Sequence, residues 1–370
     1  MKSKQARLVM QDGSSFVGMN FGHHSSVAGE VVFTTGMVGY PESMTDPSYR
    51  GQILIFTYPL IGNYGVPENQ SWESRQINVA GIVVSTYIDD NSHPSSTRTL
   101  GEWLKSEKKP GIEIKDTRLL TQKLREKGAM LGKIIIDKDI PWYDPNVINI
   151  VDEVSTKSVY TVTPENTKKT KKIVLIDCGQ KRNIVRSLVR HGATVTVVPW
   201  DFDLTKYNKT YDGVVVSNGP GDPKIVKSTI ATVAALLKKN TPVLGICLGH
   251  QILALAAGGD TYKLKYGHRS QNQPCKIHDG SEKYFLTTQN HGFAVGKIPK
   301  GFQEWFSNGN DGTNEGIIHA RWPFMSVQFH PEAFPGPNDT RWIFDYFLKK
   351  TGLLRHPEFI SGSDPETSSG

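Results

Sequence analysis

Pro242-Val-Leu-Gly-Ile-Cys-Leu-Gly-His-Gln251 carries a short apolar run, a glycine-bracketed cysteine and the opening of a second apolar stretch. Residues 243–246 read as a short buried strand, and residues 251–257 read as the start of a helix. Between them, Gly245-Ile246-Cys247-Leu248-Gly249 has the G-x-nucleophile-x-G spacing of a nucleophile elbow. The apex residue of such a turn is strained, so the positions two before and two after it must be small. A helix beginning just behind Cys247 turns free N–H groups and the positive end of its dipole toward the sulfur, a setting suited to a thiolate. Cys247 is therefore read as a nucleophile rather than a packed core thiol.

The surrounding sequence repeats this rhythm. Apolar runs at 173–177, 193–198 and 213–217 alternate with helical patterns at 180–190 and about 224–238. Strands alternating with helices predict βαβ crossovers and a doubly wound, mostly parallel sheet covered on both faces. Sites in such sheets lie beyond the carboxyl ends of the strands. Ser217-Asn-Gly-Pro-Gly-Asp-Pro223 and Cys247 both fall there.

Further along, the strand-like run 325–329 ends in His330-Pro331-Glu332. A histidine just past a strand can take the Cys247 proton, and the carboxylate two residues on can orient the ring and stabilise imidazolium. Cys247, His330 and Glu332 are thus a candidate triad. Their order along the chain does not decide the matter, because triads are recognised by geometry. The expected oxyanion hole is the N–H of Leu248 with an N–H from the 219–221 loop, Gly219 first. One such donor typically contributes about 10²–10³-fold in rate. The 217–223 loop lacks the lysine of a phosphate loop and the spacing of a dinucleotide fingerprint, so no ATP or dinucleotide site is expected.

The chain has 370 residues, enough for about two domains of roughly 150 residues. A hydrophobic share of 37% supports sizeable cores, and no apolar run approaches the ~20 residues that span a bilayer. The net charge of +7 is scattered apart from Lys168-Lys169-Thr170-Lys171-Lys172, which reads as a solvated linker run. Without basic-aromatic interleaving, nucleic acid is not an expected partner. Cys178, Cys247 and Cys275 form no CxxC pair, so neither a disulfide framework nor a zinc site is expected and no metal ligand is named. Cys178 and Cys275 read as packed thiols. No signal core or presequence is visible, and the cytoplasm follows as the default.

Residues 6–20 read as a β-hairpin around Asp12-Gly13. Strand-like runs follow at 31–34, 52–57 and 79–86, and helical patterns at 99–107 and 116–127, where Asp116 and Thr117 offer N-cap chemistry to the latter and Gly128 a stop. The expected organisation is a mixed α/β domain over 1–160, a linker over 161–172, the doubly wound domain over 173–355, and a Ser/Gly/Pro tail or interdomain linker over 356–370. By pattern alone the first half carries no nameable chemistry.

Gly245-Ile-Cys-Leu-Gly-His-Gln251 with His330-Pro-Glu332 closely resembles the triad-type, class I glutamine amidotransferases, whose domain is flavodoxin-like. Nearly the whole chain resembles one branch of them, the glutaminase (small) subunits and domains of carbamoyl-phosphate synthetases, including those at the start of multifunctional pyrimidine-synthesis proteins. The residues carrying this include Gly29-Glu-Val-Val-Phe33, the 36–49 loop, Lys115-Asp-Thr-Arg-Leu-Leu-Thr121, Asp177-Cys-Gly179 and Gln271-Asn-Gln-Pro274. Thr288-Gln-Asn-His-Gly-Phe-Ala294, Thr313-Asn-Glu-Gly316 and Pro335-Gly-Pro337 complete it.

The resemblance implies hydrolysis of L-glutamine through a γ-glutamyl thioester on Cys247, with ammonia passing to a synthetase subunit or domain, in trans or fused. That partner uses ATP and magnesium; the resemblance implies no cofactor in this chain. The absence of a visible mitochondrial presequence and the linker-like residues at 356–370 point to a fused setting and so to pyrimidine biosynthesis rather than arginine synthesis. By position within the motifs, Ser48, Gly219, Gly221, Leu248, Gln251, Asn290, Gly292 and Phe293 are the implied glutamine-binding residues. His250 and His291 are expected beside the pocket rather than as bases. Relatives that use free ammonia have lost the nucleophilic cysteine and keep this half as a docking module; Cys247 disfavours that reading here. A free-standing γ-glutamyl hydrolase is disfavoured by the family-specific N-terminal half.

Overall fold

The computed structural model describes residues 4–165 and 170–351. The predicted hairpin forms from β1 (Lys4–Met10) and β2 (Ser15–Asn20), turning at Asp12 and at Gly13 with φ +86°. β3 (Val27–Thr34), α1 (Tyr40–Thr45) and β4 (Gln52–Phe56) follow, with the small strands β5 (Leu60–Ile61) and β6 (Val66–Pro67) beyond them. Next come β7 (Gly81–Val84), β8 (Thr86–Tyr87), β9 (Ser96–Arg98), α2 (Leu100–Ser106), β10 (Gly111–Glu113), α3 (Thr117–Lys127), β11 (Met130–Ile135) and α4 (Val151–Val154).

Seven of these strands close a barrel in the order β1-β11-β3-β4-β7-β10-β2. The run β3-β4-β7-β10 is parallel, and the other pairings are antiparallel. Alternate residues of β4 serve two cores. Ile53 and Ile55 join Leu8, Val31 and Val83, while Leu54 and Phe56 join Trp72, Trp103 and Val84. Asp116 caps its helix as expected, accepting from the Leu119 N–H at 2.8 Å, and Thr99 and Glu102 form a capping box that the sequence reading did not name.

The second half is a ten-stranded sheet built from β12 (Tyr160–Val162), β13 (Lys171–Asp177), β14 (Ala193–Pro199), β15 (Gly213–Val216), β16 (Val243–Ile246), β17 (Asp260–Ile277), β18 (Tyr284–Lys297), β19 (Phe302–Asn308), β20 (Asn314–His319) and β21 (Phe324–Val327). At its centre β14-β13-β15-β16-β21 run parallel, the 2-1-3-4-5 order of a flavodoxin-like sheet. β13 feeds both faces by its period of two. Ile173 and Leu175 pack with α5 (Arg182–Arg190) and α8 (Trp342–Lys350), and Val174 and Ile176 with α6 (Lys227–Lys238) and α7 (Leu248–Ala256).

The doubly wound parallel core is as expected. It is extended by an antiparallel flank, β20-β19-β17-β18, that the periodicity does not reveal. Three helices start off their expected positions. α7 begins at Leu248, directly behind Cys247 rather than at Gln251; α5 begins at Arg182; α6 begins at Lys227, after a 3₁₀ turn at Pro223–Ile225. The segment expected as a linker, 161–172, is strand at both ends, since Thr161 and Val162 pair with β14 and Lys171 opens β13. The expected 356–370 tail lies outside the described residues. Among the described residues, no helix is long and apolar enough to cross a membrane.

Candidate active site

The carboxyl ends of the parallel strands build the site. Gly245 sits opposite Val216 and Ile246 opposite Val327, so the chain leaves the sheet at Cys247. Cys247 takes φ 54° and ψ −104°, a strained conformation for a residue with a side chain. The glycine bracket has a steric cause. A Cβ on Gly249 would lie 2.1 Å from the Val216 carbonyl oxygen, and one on Gly245 would lie 2.3 Å from the Gly249 carbonyl oxygen. α7 starts one residue later, placing its positive end at the cysteine.

The Cys247 sulfur is held between two groups. It donates to the Asn290 carbonyl at 3.6 Å and accepts from Gln328 Nε2 at 3.7 Å. Gln328 is tied at 3.0 Å to Gln251, whose amide also donates to the Phe293 carbonyl at 2.8 Å.

His330 stands just past β21, its N–H on the Thr288 carbonyl at 2.9 Å. Its Nδ1 is 2.6 Å from Glu332 Oε1, and both residues are fully enclosed. Among the described residues, Nε2 is buried without a hydrogen-bond partner, and Cys247 is close enough to act on the ring electrostatically. Burial alone would pull the imidazole down. The Glu332 carboxylate and then Cys247 outweigh it, raising His330 from 6.5 to about 10. Burial would raise Glu332, but the charges of His330 and Lys181 hold it below the usual carboxylate value.

Lys181 is a buried cation that sequence reasoning passed over. Its Nζ donates to the Ala333 carbonyl at 2.5 Å and lies 3.4 Å from Glu332 Oε1. Burial pulls it down, and Glu332, Glu73 and Asp46 more than compensate. Asn183 completes the cradle by donating to the Glu332 carbonyl at 2.5 Å.

A cleft of about 490 Å³ opens over the cysteine, and all eight expected binding residues line it: Ser48, Gly219, Gly221, Leu248, Gln251, Asn290, Gly292 and Phe293. Leu248 and Gly219, the residues expected to supply the oxyanion donors, both line the cleft, and the Leu248 side chain packs against Gly219. A Cβ on Gly219 would lie 2.1 Å from the Cys178 carbonyl oxygen and 2.8 Å from the Leu248 side chain.

The cleft straddles the two domains. From the barrel side, Ser48 accepts from Asn218 Nδ2 at 2.9 Å, and Asp46 accepts from Asn290 Nδ2 at 2.9 Å. Glu30, buried, closes one wall; it accepts from Lys263 at 2.6 Å, Gln52 at 2.9 Å and Asn146 at 3.1 Å. Asp46, Glu30, Lys181, Asn183, Arg269 and Gln328 were given no role from sequence. Asp46, Glu30, Lys181, Asn183 and Gln328 meet partners far along the chain, and the Arg269 guanidinium donates locally to the Tyr266 carbonyl at 2.7 Å.

Burial disfavours the charged form of both histidines beside the pocket. Burial drives His250 down to about 3, with its Nδ1 on Ser326 at 2.9 Å. Burial, then the charge of His268, pushes His291 well below 6.5, with its Nδ1 on the Phe293 carbonyl at 2.9 Å. Cys178 and Cys275 are both buried, and burial raises both thiols. His268, His291 and Glu315 bring three ligand-type atoms within 4.8 Å of one another. His268 already lies between Asp311 at 2.9 Å and Glu315 at 3.4 Å, so an ion pair accounts for this cluster.

The class-I glutamine amidotransferase family model matches residues 174–350, and the model of the carbamoyl-phosphate synthase small chain, CPSase domain, matches residues 8–134. The chain is 47% identical to the carbamoyl phosphate synthase arginine-specific small chain of Neurospora crassa, covering 95% of this chain and 81% of that one. It is 46% identical to the multifunctional protein pyr-3 of Neurospora crassa, covering 97% of this chain and 22% of that one. It is 50% identical to the multifunctional protein CAD of Squalus acanthias, covering 93% of this chain and 16% of that one. The chain therefore spans less than a quarter of these multifunctional relatives and most of the small chain.

Proposed function

The chain belongs to the carbamoyl-phosphate synthase small-chain family, with a class-I glutamine amidotransferase domain, and from that premise we propose that it hydrolyses L-glutamine to glutamate and ammonia. The observation that carries the reading is the buried His330–Glu332 pair beside a strained cysteine at the floor of a polar cleft.

In this mechanism the Cys247 sulfur attacks the carboxamide carbon of glutamine. The N–H groups of Leu248 and Gly219 take the charge that develops on the carbonyl oxygen. The His330 imidazolium gives its proton to the leaving nitrogen, and the C–N bond of the tetrahedral adduct breaks, releasing ammonia and leaving a γ-glutamyl thioester on Cys247. His330 then takes a proton from water, which attacks the thioester and releases glutamate and the thiol. Glu332 keeps the ring oriented and balances imidazolium; Lys181 in turn fixes Glu332. Ser48, Gly219, Gly221, Leu248, Gln251, Asn290, Gly292 and Phe293 hold the substrate in the cleft.

The ammonia passes to a carbamoyl-phosphate synthetase large subunit or domain that uses ATP and magnesium, and the product feeds pyrimidine biosynthesis in the cytoplasm. A glutamine-mimicking diazo ketone tests the site. A single adduct at Cys247, blocked by excess glutamine, is the expected mass-spectrometric result. Labelling that ignores glutamine, or that is absent from folded protein with and without synthetase, would overturn the reading. Coupling is tested separately, by whether synthetase and ATP accelerate glutamate release.

A further inference from the structure

Glu73 belongs to the barrel half, in the loop after β6, yet it is fully buried against the other domain. Its own N–H donates to Thr45 Oγ1 at 3.0 Å, and its neighbour Trp72 packs on Trp103 at 4.7 Å, so the barrel core fixes its place. From there it reaches the first turn of α5. Its carbonyl accepts the Arg182 N–H at 2.8 Å and its Oε2 accepts the Asn183 N–H at 3.1 Å. Lys181, at the N-cap of α5, supplies no side-chain cap. A carboxylate from another domain thus meets donors that a helix start leaves open.

The two side chains at that turn are the ones that hold Glu332. Lys181 Nζ lies 3.4 Å from its carboxylate, and Asn183 Nδ2 donates to its carbonyl. We propose that Glu73 is a positioning residue for the triad, through which the N-terminal domain sets α5, Lys181 and Asn183 and thereby the Glu332–His330 pair. The proposal rests on the glutaminase reading above. It gives the barrel domain a route to the chemistry that does not pass through the substrate cleft, which Glu73 does not line. Charged groups acting on the Glu73 carboxylate are Lys181, Glu332 and Arg186, the last with Nη1 3.9 Å from Oε1.

The test uses the full chain and three variants: Glu73→Gln, which keeps an acceptor without the charge; Glu73→Asp; and Glu73→Ala. Expected are a fall in kcat for glutamate release of about tenfold or more in the Ala variant, KM within about threefold, and partial rescue by Asp. The Gln variant, nearly isosteric, moves the His330-dependent limb of the rate–pH profile to lower pH, because a negative charge has left the imidazolium's surroundings. Thermal unfolding of each variant separates loss of fold from loss of positioning.

The rate of Cys247 alkylation by iodoacetamide, followed against pH, reads the same Cys–His pairing without substrate. Wild-type kcat and an unshifted alkylation profile in a folded Gln variant would overturn the proposal. A wild-type chain that releases no glutamate alone or with synthetase would instead overturn the glutaminase reading, while the alkylation profile would still decide the role of Glu73.

Discussion

Ser48 and Asn218 meet across the boundary between the two domains, the Asn218 amide donating to the Ser48 hydroxyl at 2.9 Å. The barrel half thus supplies part of the cleft wall, with Ser48 lining it. Ser48→Ala is expected to raise KM for glutamine about fivefold, the worth of one net hydrogen bond of ~1 kcal/mol. Steady-state kinetics check this, with kcat expected within about twofold of wild type. An unchanged KM would remove Ser48 from substrate binding.

Cys247→Ala removes the nucleophile and leaves the cleft lining. Glutamate release should fall by at least about 10³-fold, while calorimetry still detects glutamine binding. Residual turnover above about a hundredth of wild type would point to direct attack by water.

His330 makes stability depend on pH. Its folded-state value of about 10 stands above the ordinary 6.5. Its stabilisation is therefore fully present below pH 6.5 and is lost as pH rises through about 10. Between these limits the wild-type Tm should fall more steeply than that of His330→Gln, which lacks the titrating group. Parallel Tm–pH curves over that window would mean that the imidazole is not held charged.

Gly249→Ala forces a Cβ to within 2.1 Å of the Val216 carbonyl oxygen. Backbone has to move, at about 1–3 kcal/mol, and the displaced sulfur should lose about 10² or more in kcat. Gly280→Ala is the control. Nothing lies near a Cβ there, so only the positive φ counts, at about 1 kcal/mol, and kcat stays unchanged. Thermal melts and kinetics on both variants decide it.

The elbow, the His330–Glu332 pair and the parallel core are legible in the sequence because their signals are local. Gly245 and Gly249 are needed by atoms in adjoining turns and strands, and Glu332 is two residues from His330. The barrel is not legible, because its closure depends on β1 meeting β11 and β2 meeting β10, more than ninety residues apart. The flank β17–β18 hides for another reason. Arg269, Ser270, Gln289, Asn290 and His291 are buried polar residues in the strands, so apolar alternation fails where the sheet lines the site.

The expected binding residues came from the family resemblance rather than from pattern. Pattern alone reads Asp46-Pro47-Ser48 as an ordinary turn, and the structure does form one, with Asp46 accepting from the Ser48 N–H at 2.9 Å. Its partners Asn218 and Asn290 lie about 170 and 240 residues away, beyond any local reading.

The strand β12 has a bearing on how the chain can be divided. It arrives from the barrel half and pairs antiparallel with β14, Tyr160 opposite Val197 and Val162 opposite Val195. An amidotransferase half begun at Lys171 would therefore keep its nucleophile and base yet bare the backbone of β14 along a free margin. Such a margin recruits whatever extended chain is at hand, most readily another copy of itself. Cleavage after β12 is a different matter, since the severed strand can stay zipped to its neighbour. Where the scissors fall thus separates a stable split enzyme from a precipitate.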